Sequence, residues 1–226
     1  MKKILLMLSL SVILSSCAAT SNIPKSTAYQ RLYEEVPTSV LIMPPINRST
    51  NVEAKEYFHS TLSVPIANAG YYVIPPFLSM EILKRESAYD SELFIEAPLD
   101  QFRSVFGADM AVFTIIHRWD KSSIAAKVLV EVEYIIKSTK TNRVIYARRG
   151  NVTYDATVES GVGGAFGALL DIAASAINTA ATKYVDVARV SNKYTFTDLP
   201  AGVYSPKFMT DGTELAGKSI FSVNLP

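Results

Sequence analysis

Lys127-Val-Leu-Val-Glu-Val-Glu-Tyr-Ile-Ile-Lys137, the turn Ser138-Thr-Lys-Thr-Asn142 and Arg143-Val-Ile-Tyr-Ala-Arg-Arg-Gly-Asn-Val-Thr-Tyr154 decide the fold. Two β-rich runs, Ile124 to Lys137 and Arg143 to Tyr154, flank a polar turn, which is the pattern of a hairpin. In the first arm Val128, Val130, Val132 and Tyr134 alternate with Lys127, Leu129, Glu131 and Glu133. A period of two gives one packed face and one partly wet face.

Working upstream, Met110 to Trp119 is another strand, and Pro98 to Phe106 a short helix. Leu99, Phe102, Val105 and Phe106 point that helix inward, and Gly107 stops it. Ser39 to Met43 is a short apolar strand stopped by Pro44 and Pro45. Ala54, Tyr57, Phe58, Thr61, Leu62, Pro65, Ile66 and Ala69 recur at helical spacing over Glu53 to Ala69. Pro65 removes a helical hydrogen bond, so a kink or break near Thr61 is expected. Gly70 can close the helix in a left-handed conformation before a strand at Tyr71 to Ile74 and a helix at Phe77 to Arg85. Downstream, Gly161 to Val190 reads as a long helix and the remainder, from Ser191, as irregular. The order β-α-β-α-α-β-β-β-α combines an early parallel crossover with a late antiparallel hairpin. The expected class is therefore α/β (α+β), a mixed sheet with helices packed against it.

The amino terminus has a different character. Lys2 and Lys3 precede an apolar run from Ile4 to Leu14, too short to span a hydrocarbon core. Charge, short apolar run and small residues make an export signal. Leu14-Ser15-Ser16-Cys17 resembles the lipobox of bacterial lipoproteins, and Cys17 is the chain's only cysteine. Cleavage before Cys17 assigns residues 1–16 to a signal peptide, 17–28 to a lipidated cysteine with a polar tether, and 29–226 to one globular domain. No cofactor is expected beyond a covalent diacylglycerol and N-acyl lipid on Cys17, and several acyl chains hold a protein on a membrane firmly. Residue 18 is Ala, not the Asp that retains lipoproteins in the inner membrane under the enterobacterial-type sorting rule. The expected location is the outer membrane, with the domain facing the periplasm.

Composition excludes several classes. There are 22 Lys+Arg against 21 Asp+Glu, a net charge of +1, and loss of Lys2 and Lys3 turns this to −1. Such a balance is unsuited to nucleic acid, which demands a surplus of cations. One cysteine makes neither an internal disulfide nor a cysteine zinc site.

Candidate catalytic groups are few. His117 could be a base oriented by Asp120, against the plainer reading of an exposed strand-end histidine; His59 falls on the polar side of its helix. Glu131 and Glu133 share a strand face roughly 7 Å apart, either a carboxylate pair or a solvated sheet face. Asp109 reads as a turn or cap residue, not a metal ligand. The basic pair Arg148-Arg149 reads as solvated charge or as a contact to an acidic lipid or partner. Gly161 to Gly167 lacks the Lys-Ser/Thr of a phosphate loop. Beyond it Asp171, Ser175 and Asn178 recur at i, i+4 and i+7 among small residues, including Ala174 and Ala181. That stretch is either a helix packed on the sheet or an association surface for a partner or a second copy. No catalytic, cofactor or metal residue is assigned.

Several segments carry a family resemblance. Val64-Pro-Ile-Ala-Asn-Ala-Gly-Tyr-Tyr-Val-Ile-Pro75, Phe106-Gly-Ala-Asp-Met-Ala-Val-Phe-Thr-Ile-Ile116 with Trp119, Val130-Glu-Val-Glu-Tyr134 and Leu199-Pro-Ala-Gly-Val-Tyr-Ser-Pro-Lys207 resemble segments of a Gram-negative lipoprotein family typified by a neisserial surface antigen. The family usually has Gly-Pro before Tyr in the last motif, where this chain has Gly202-Val203. The resemblance implies a fold like the amino-terminal domain of the Tol-system periplasmic protein. It also implies a role beside envelope proteins such as a curli-secretion-like lipoprotein. The expectation is a membrane-anchored, non-enzymatic interaction or accessory module of an envelope assembly, secretion or transport complex. The alternatives are an envelope hydrolase acting near peptidoglycan and a carrier of a lipophilic ligand.

Overall fold

The computed structural model describes residues 23–122, 127–155 and 184–225. Its elements in chain order are α1 (Lys25–Ala28), α2 (Gln30–Glu35), β1 (Ser39–Ile42), β2 (Ile46–Asn47), α3 (Ala54–Asn68), β3 (Tyr72–Val73), α4 (Pro76–Arg85), α5 (Asp100–Phe106), β4 (Met110–Ser122), β5 (Lys127–Ser138), β6 (Val144–Asp155), α6 (Tyr184–Phe196) and β7 (Ile220–Leu225). The strands form one mixed sheet in the order β3-β1-β4-β5-β6-β7, with β2 pairing on β4. β1 pairs parallel with both β3 and β4, whereas β4, β5 and β6 are antiparallel neighbours. The expected mixed sheet, early crossover and late hairpin are all present.

Alternation along the hairpin sets the layers. Val128, Val130, Val132 and Tyr134 are buried beneath α3 and α6, together with Phe58, Leu62, Ile66 and Val187. On the opposite face α4 and α5 cover the β1–β4 half through Leu83, Leu99, Phe102, Ala111 and Phe113. The outer face of β5, β6 and β7 carries half-buried or exposed residues instead: Glu131, Glu133, Arg149, Asn151 and Ser222. One sheet thus has a dry face and a face that is dry only in part.

Several sequence expectations change. α3 runs unbroken to Asn68 although it contains Pro65. The proline lies in the last turn, and Phe58, Leu62 and Ile66 on the same helix are fully buried, so packing holds the axis. Val105 does not face inward in α5; it is one of the exposed hydrophobic residues. The carboxyl-terminal part is not irregular from Ser191, because α6 continues to Phe196 and Ile220–Leu225 adds β7 parallel to β6. The expected tether reaches the described residues only at 23–28, and there the chain is folded. Lys25 N donates to Glu214 O at 2.8 Å, Ala216 N to Ile23 O at 2.8 Å, and Lys25 is buried. The ordered fold therefore begins before residue 29.

Candidate functional site

Two of the segments singled out in the sequence meet in space. Val64 to Pro75 supplies the end of α3, Gly70 and β3, while Leu199 to Lys207 forms a strap across them. Gly202 N donates to Ala69 O at 2.8 Å, Tyr204 N to Gly70 O at 3.0 Å, and the Tyr71 hydroxyl to Pro200 O at 2.9 Å. Gly70 has a φ of +94°, a conformation that disfavours a side chain. A Cβ there would overlap Ser205, and a Cβ on Gly202 would overlap the Gly70 carbonyl. Two backbones can touch only because both positions are glycine.

A cleft of about 300 Å³ opens beside this junction, lined by Pro65, Ala69, Lys193, Leu199, Lys207 and Glu214 among others. Its charges are occupied with one another. Lys25 Nζ lies 3.0 Å from Glu214 and 3.6 Å from Asp211, and Lys207 Nζ lies 2.7 Å from Glu214. Hydrogen bonds from Lys207 and Lys25 hold the Glu214 carboxyl below its ordinary pKa. The volume is at the lower end of small-molecule sites, and no pair there has the geometry of a nucleophile with its base.

The sequence-singled histidines and carboxylates have other partners than expected. His117 sits inside β4 at a β-bulge, not at a strand end, and its Nε2 lies 2.7 Å from Glu133 Oε2. Asp120 pairs with Arg118 instead. Arg149 bonds Glu131 through Nε at 2.9 Å and a terminal nitrogen at 2.6 Å, and reaches Glu133 at 4.0 Å. The outer face therefore carries a ladder, His117–Glu133–Arg149–Glu131, across three strands. Both carboxylates are thereby engaged by neighbouring side chains.

Asp109 is the cap it was expected to be. Its Oδ2 accepts from Thr38 N at 3.0 Å and Ser39 N at 3.2 Å, and its Oδ1 from Arg103 at 2.9 Å. Burial alone would raise its pKa, but these donors outweigh burial and lower it. The Arg148-Arg149 pair divides: Arg149 is exposed, but Arg148 is buried and not solvated. Arg148 donates to Thr195 O at 2.7 Å and Lys218 O at 3.1 Å, and stands over the Phe221 ring at 4.6 Å. His59 is half-buried rather than on the surface, and its Nε2 has no hydrogen-bond partner within the protein. Arg148's signal was present in the sequence, since it shares the parity of Tyr146, Val152 and Tyr154 on its strand.

Asp171, Ala174, Ser175, Asn178 and Ala181 lie outside the described residues, as do Leu14, Ser15, Ser16 and Cys17. The described residues do locate where those segments attach. Ile23 shares a cleft with Val144, Tyr29 and Ser219 at the start of β6. Segment 156–183 leaves from Asp155 at the other end of β6 and re-enters at Tyr184, whose ring lies 6.3 Å from that of Trp119. Eleven residues of strand separate the two ends by about 36 Å. Ile23, on one side, and Asp155 with Tyr184, on the other, thus stand at opposite ends of the sheet. Among the described residues no helix is long and apolar enough to cross a membrane.

A putative lipoprotein of Neisseria meningitidis serogroup B is 25% identical over 122 residues, which is 54% of this chain and 56% of that protein. The aligned part thus spans little more than half of that relative. The crystal structure of lipoprotein GNA1162 from the same species superposes with a TM-score of 0.50 at 17% identity, covering 62% of this chain and 98% of that one. The carboxyl-terminal domain of LpoB from Salmonella enterica matches more loosely, with a TM-score of 0.40 at 11% identity over 59% of this chain and 98% of that one. The family model described as "Putative lipoprotein GNA1162-like" matches residues 27–203, which include the hairpin and most of both halves of the glycine junction, and the chain belongs to that family.

Proposed function

We propose that this protein is a lipid-anchored, non-enzymatic interaction module of an envelope assembly, held on the periplasmic face of the outer membrane by acylated Cys17. Membership of a lipoprotein family supports an anchor, and Leu14-Ser15-Ser16-Cys17 is the proposed site of its attachment. The observation that carries the non-enzymatic reading is the use to which the ionisable groups are put. His117, Glu131, Glu133, Asp109, Glu214 and Lys25 each serve another side chain or a backbone group of the same domain. A catalytic site keeps such groups convergent on a reacting atom.

The separation of the two ends supports the rest. A domain tied down near Ile23 carries Asp155 and Tyr184, to which the segment holding Asp171, Ala174, Ser175, Asn178 and Ala181 is joined, at the other end of β6, about 36 Å along the strand. That segment is proposed to meet a second copy or an envelope protein such as a curli-secretion-like lipoprotein. Crosslinked pull-down from intact cells, comparing the native protein with Cys17→Ser, tests the assignment. Envelope-assembly proteins recovered with the native chain and lost with Cys17→Ser are expected. Recovery of the same partners by both would remove the anchor from the function.

A further inference from the structure

The end of the domain from which the amino-terminal arm emerges has a surface of its own. Three apolar side chains stand exposed there: Ile23, Val144 and Leu215, at 47%, 43% and 60%. They belong to one neighbourhood. Ile23 and Val144 line the same cleft, and Pro24 bridges Leu215 in an antiparallel pair. Exposed leucine and isoleucine scattered singly need no explanation, but a cluster does.

Cations rim the cluster. Arg31 donates to the Val144 carbonyl at 2.9 Å, Arg143 precedes Val144, Lys140 occupies the hairpin turn, and Lys218 lies between Gly217 and Ser219 of the cleft wall. All four are exposed, and among the described residues no carboxylate pairs with them. The neighbouring acids are engaged: Glu34 with Gln30, Glu35 with Thr141, and Glu214 with Lys25 and Lys207. Apolar side chains ringed by unpaired lysine and arginine match the interface of a bilayer, where alkyl groups enter the headgroup layer and cations meet phosphate.

Covalent reach selects the same occupant. Ile23 is six residues beyond Cys17, and six residues fully extended span at most about 20 Å. A domain tied to lipid at Cys17 cannot turn its far end, about 36 Å away, toward the headgroups without lifting this end off them. We infer that the surface formed by Ile23, Val144 and Leu215, rimmed by Arg31, Arg143, Lys140 and Lys218, docks on the phospholipid headgroups and fixes the domain's orientation on the membrane. The inference rests on the proposed acylation of Cys17. It adds that the domain is seated on the bilayer instead of swinging freely on its arm, with the Asp155 and Tyr184 end facing away.

Because Cys17 is the chain's only cysteine and its sulfur is consumed by the lipid, one added cysteine is the only free thiol. Leu215→Cys, Val144→Cys and, as a control, Val52→Cys are each labelled with a fluorophore. Val52 is 85% exposed and shares a cleft with Trp119 and Lys121 at the opposite end. The full-length acylated proteins are reconstituted in phosphatidylethanolamine–phosphatidylglycerol vesicles containing a headgroup-nitroxide lipid. Quenching is expected at 215 and 144 and absent at 52, and Arg31→Glu with Lys218→Glu should weaken the quenched population about tenfold, or about 1.4 kcal/mol. Equal quenching at all three positions, or quenching only at 52, overturns the docking surface and leaves the anchor intact. Fatty-acid labelling of the same preparations separates the two failures, because a chain without label overturns the acylation on which both readings stand.

Discussion

Arg148 and Arg149 are neighbours in one strand and do different things. Arg148 is 5% exposed, and its head is spent on the Thr195 and Lys218 carbonyls with Asp198 nearby at 3.9 Å. Arg149, with 46% of its side chain exposed, joins Glu131 and Glu133 in the outer ladder. The pleat alone separates them, since successive side chains point to opposite faces. On the helix-covered face a polar group holds two elements together, because leaving it unpaired is costly. On the open face water competes for every charge, and a ladder of the same residue types contributes little.

The inner face should therefore break first. Arg148→Met removes one of two side-chain donors to Thr195 O, an end-of-helix carbonyl of α6 that keeps the Tyr146 hydroxyl, and leaves Asp198 buried without its cation. A loss of about 3–5 kcal/mol is expected in urea unfolding. A loss equal to that of the Arg149 substitution would erase the distinction between the faces. Asn192 is the next test. It accepts from the Tyr134 hydroxyl and donates to Phe58 O at 3.1 Å and Thr61 Oγ1 at 2.9 Å, so one side chain ties α6 to both α3 and β5. Asn192→Leu should cost about 2–3 kcal/mol by orphaning these groups. Adding Tyr134→Phe should return part of that loss, because the stranded hydroxyl disappears. Strictly additive losses would show that the pair is not coupled.

How much of this was legible in the sequence follows from the range of each interaction. The hairpin, its inward Val128, Val130, Val132 and Tyr134, and the helix over 54–68 follow from local periodicity. Strand β7 did not, because Ile220-Phe-Ser-Val-Asn-Leu225 is short and its polar Ser222 and Asn224 face the open side. The His117–Glu133 contact spans 16 residues and depends on the β4–β5 register and a bulge, neither of which any local pattern states. The Gly70–Gly202 junction is more distant still. Both glycines sat in motifs carrying a resemblance, but their contact is a matter of tertiary approach that sequence spacing does not encode.

The two histidines repeat the contrast between a burying environment and a paired one. Burial lowers the pKa of His59, with Lys55 and Lys84 adding to the effect and Glu56 opposing it. Those two cations, Lys55 from α3 itself and Lys84 from α4, both face the Tyr89 ring, at 4.6 and 5.8 Å. The unfolded chain therefore binds a proton there more readily than the folded one. Stability from this site is complete above the unfolded value of about 6.5 and is lost as pH falls through the lowered folded value. His59→Gln should flatten that part of the stability–pH curve, measured by urea midpoints between neutral and mildly acidic pH. An unchanged curve would mean that Nε2 is not held out of water as the fold implies.

Arg149→Ala is expected to have the smallest effect, about 0.2–1 kcal/mol, because both of its carboxylate partners and its own head are accessible to solvent. Its sign of origin is salt dependence: exposed ion pairs weaken as ionic strength rises, so wild type and variant should converge at high salt. His117 keeps its bond to Glu133 after the substitution, which leaves one half of the ladder in place and limits the loss further. If Arg149→Ala instead matched Arg148→Met and resisted salt, the outer face would be shielded from water in the working protein. The open half of the sheet would then have to be covered by another chain.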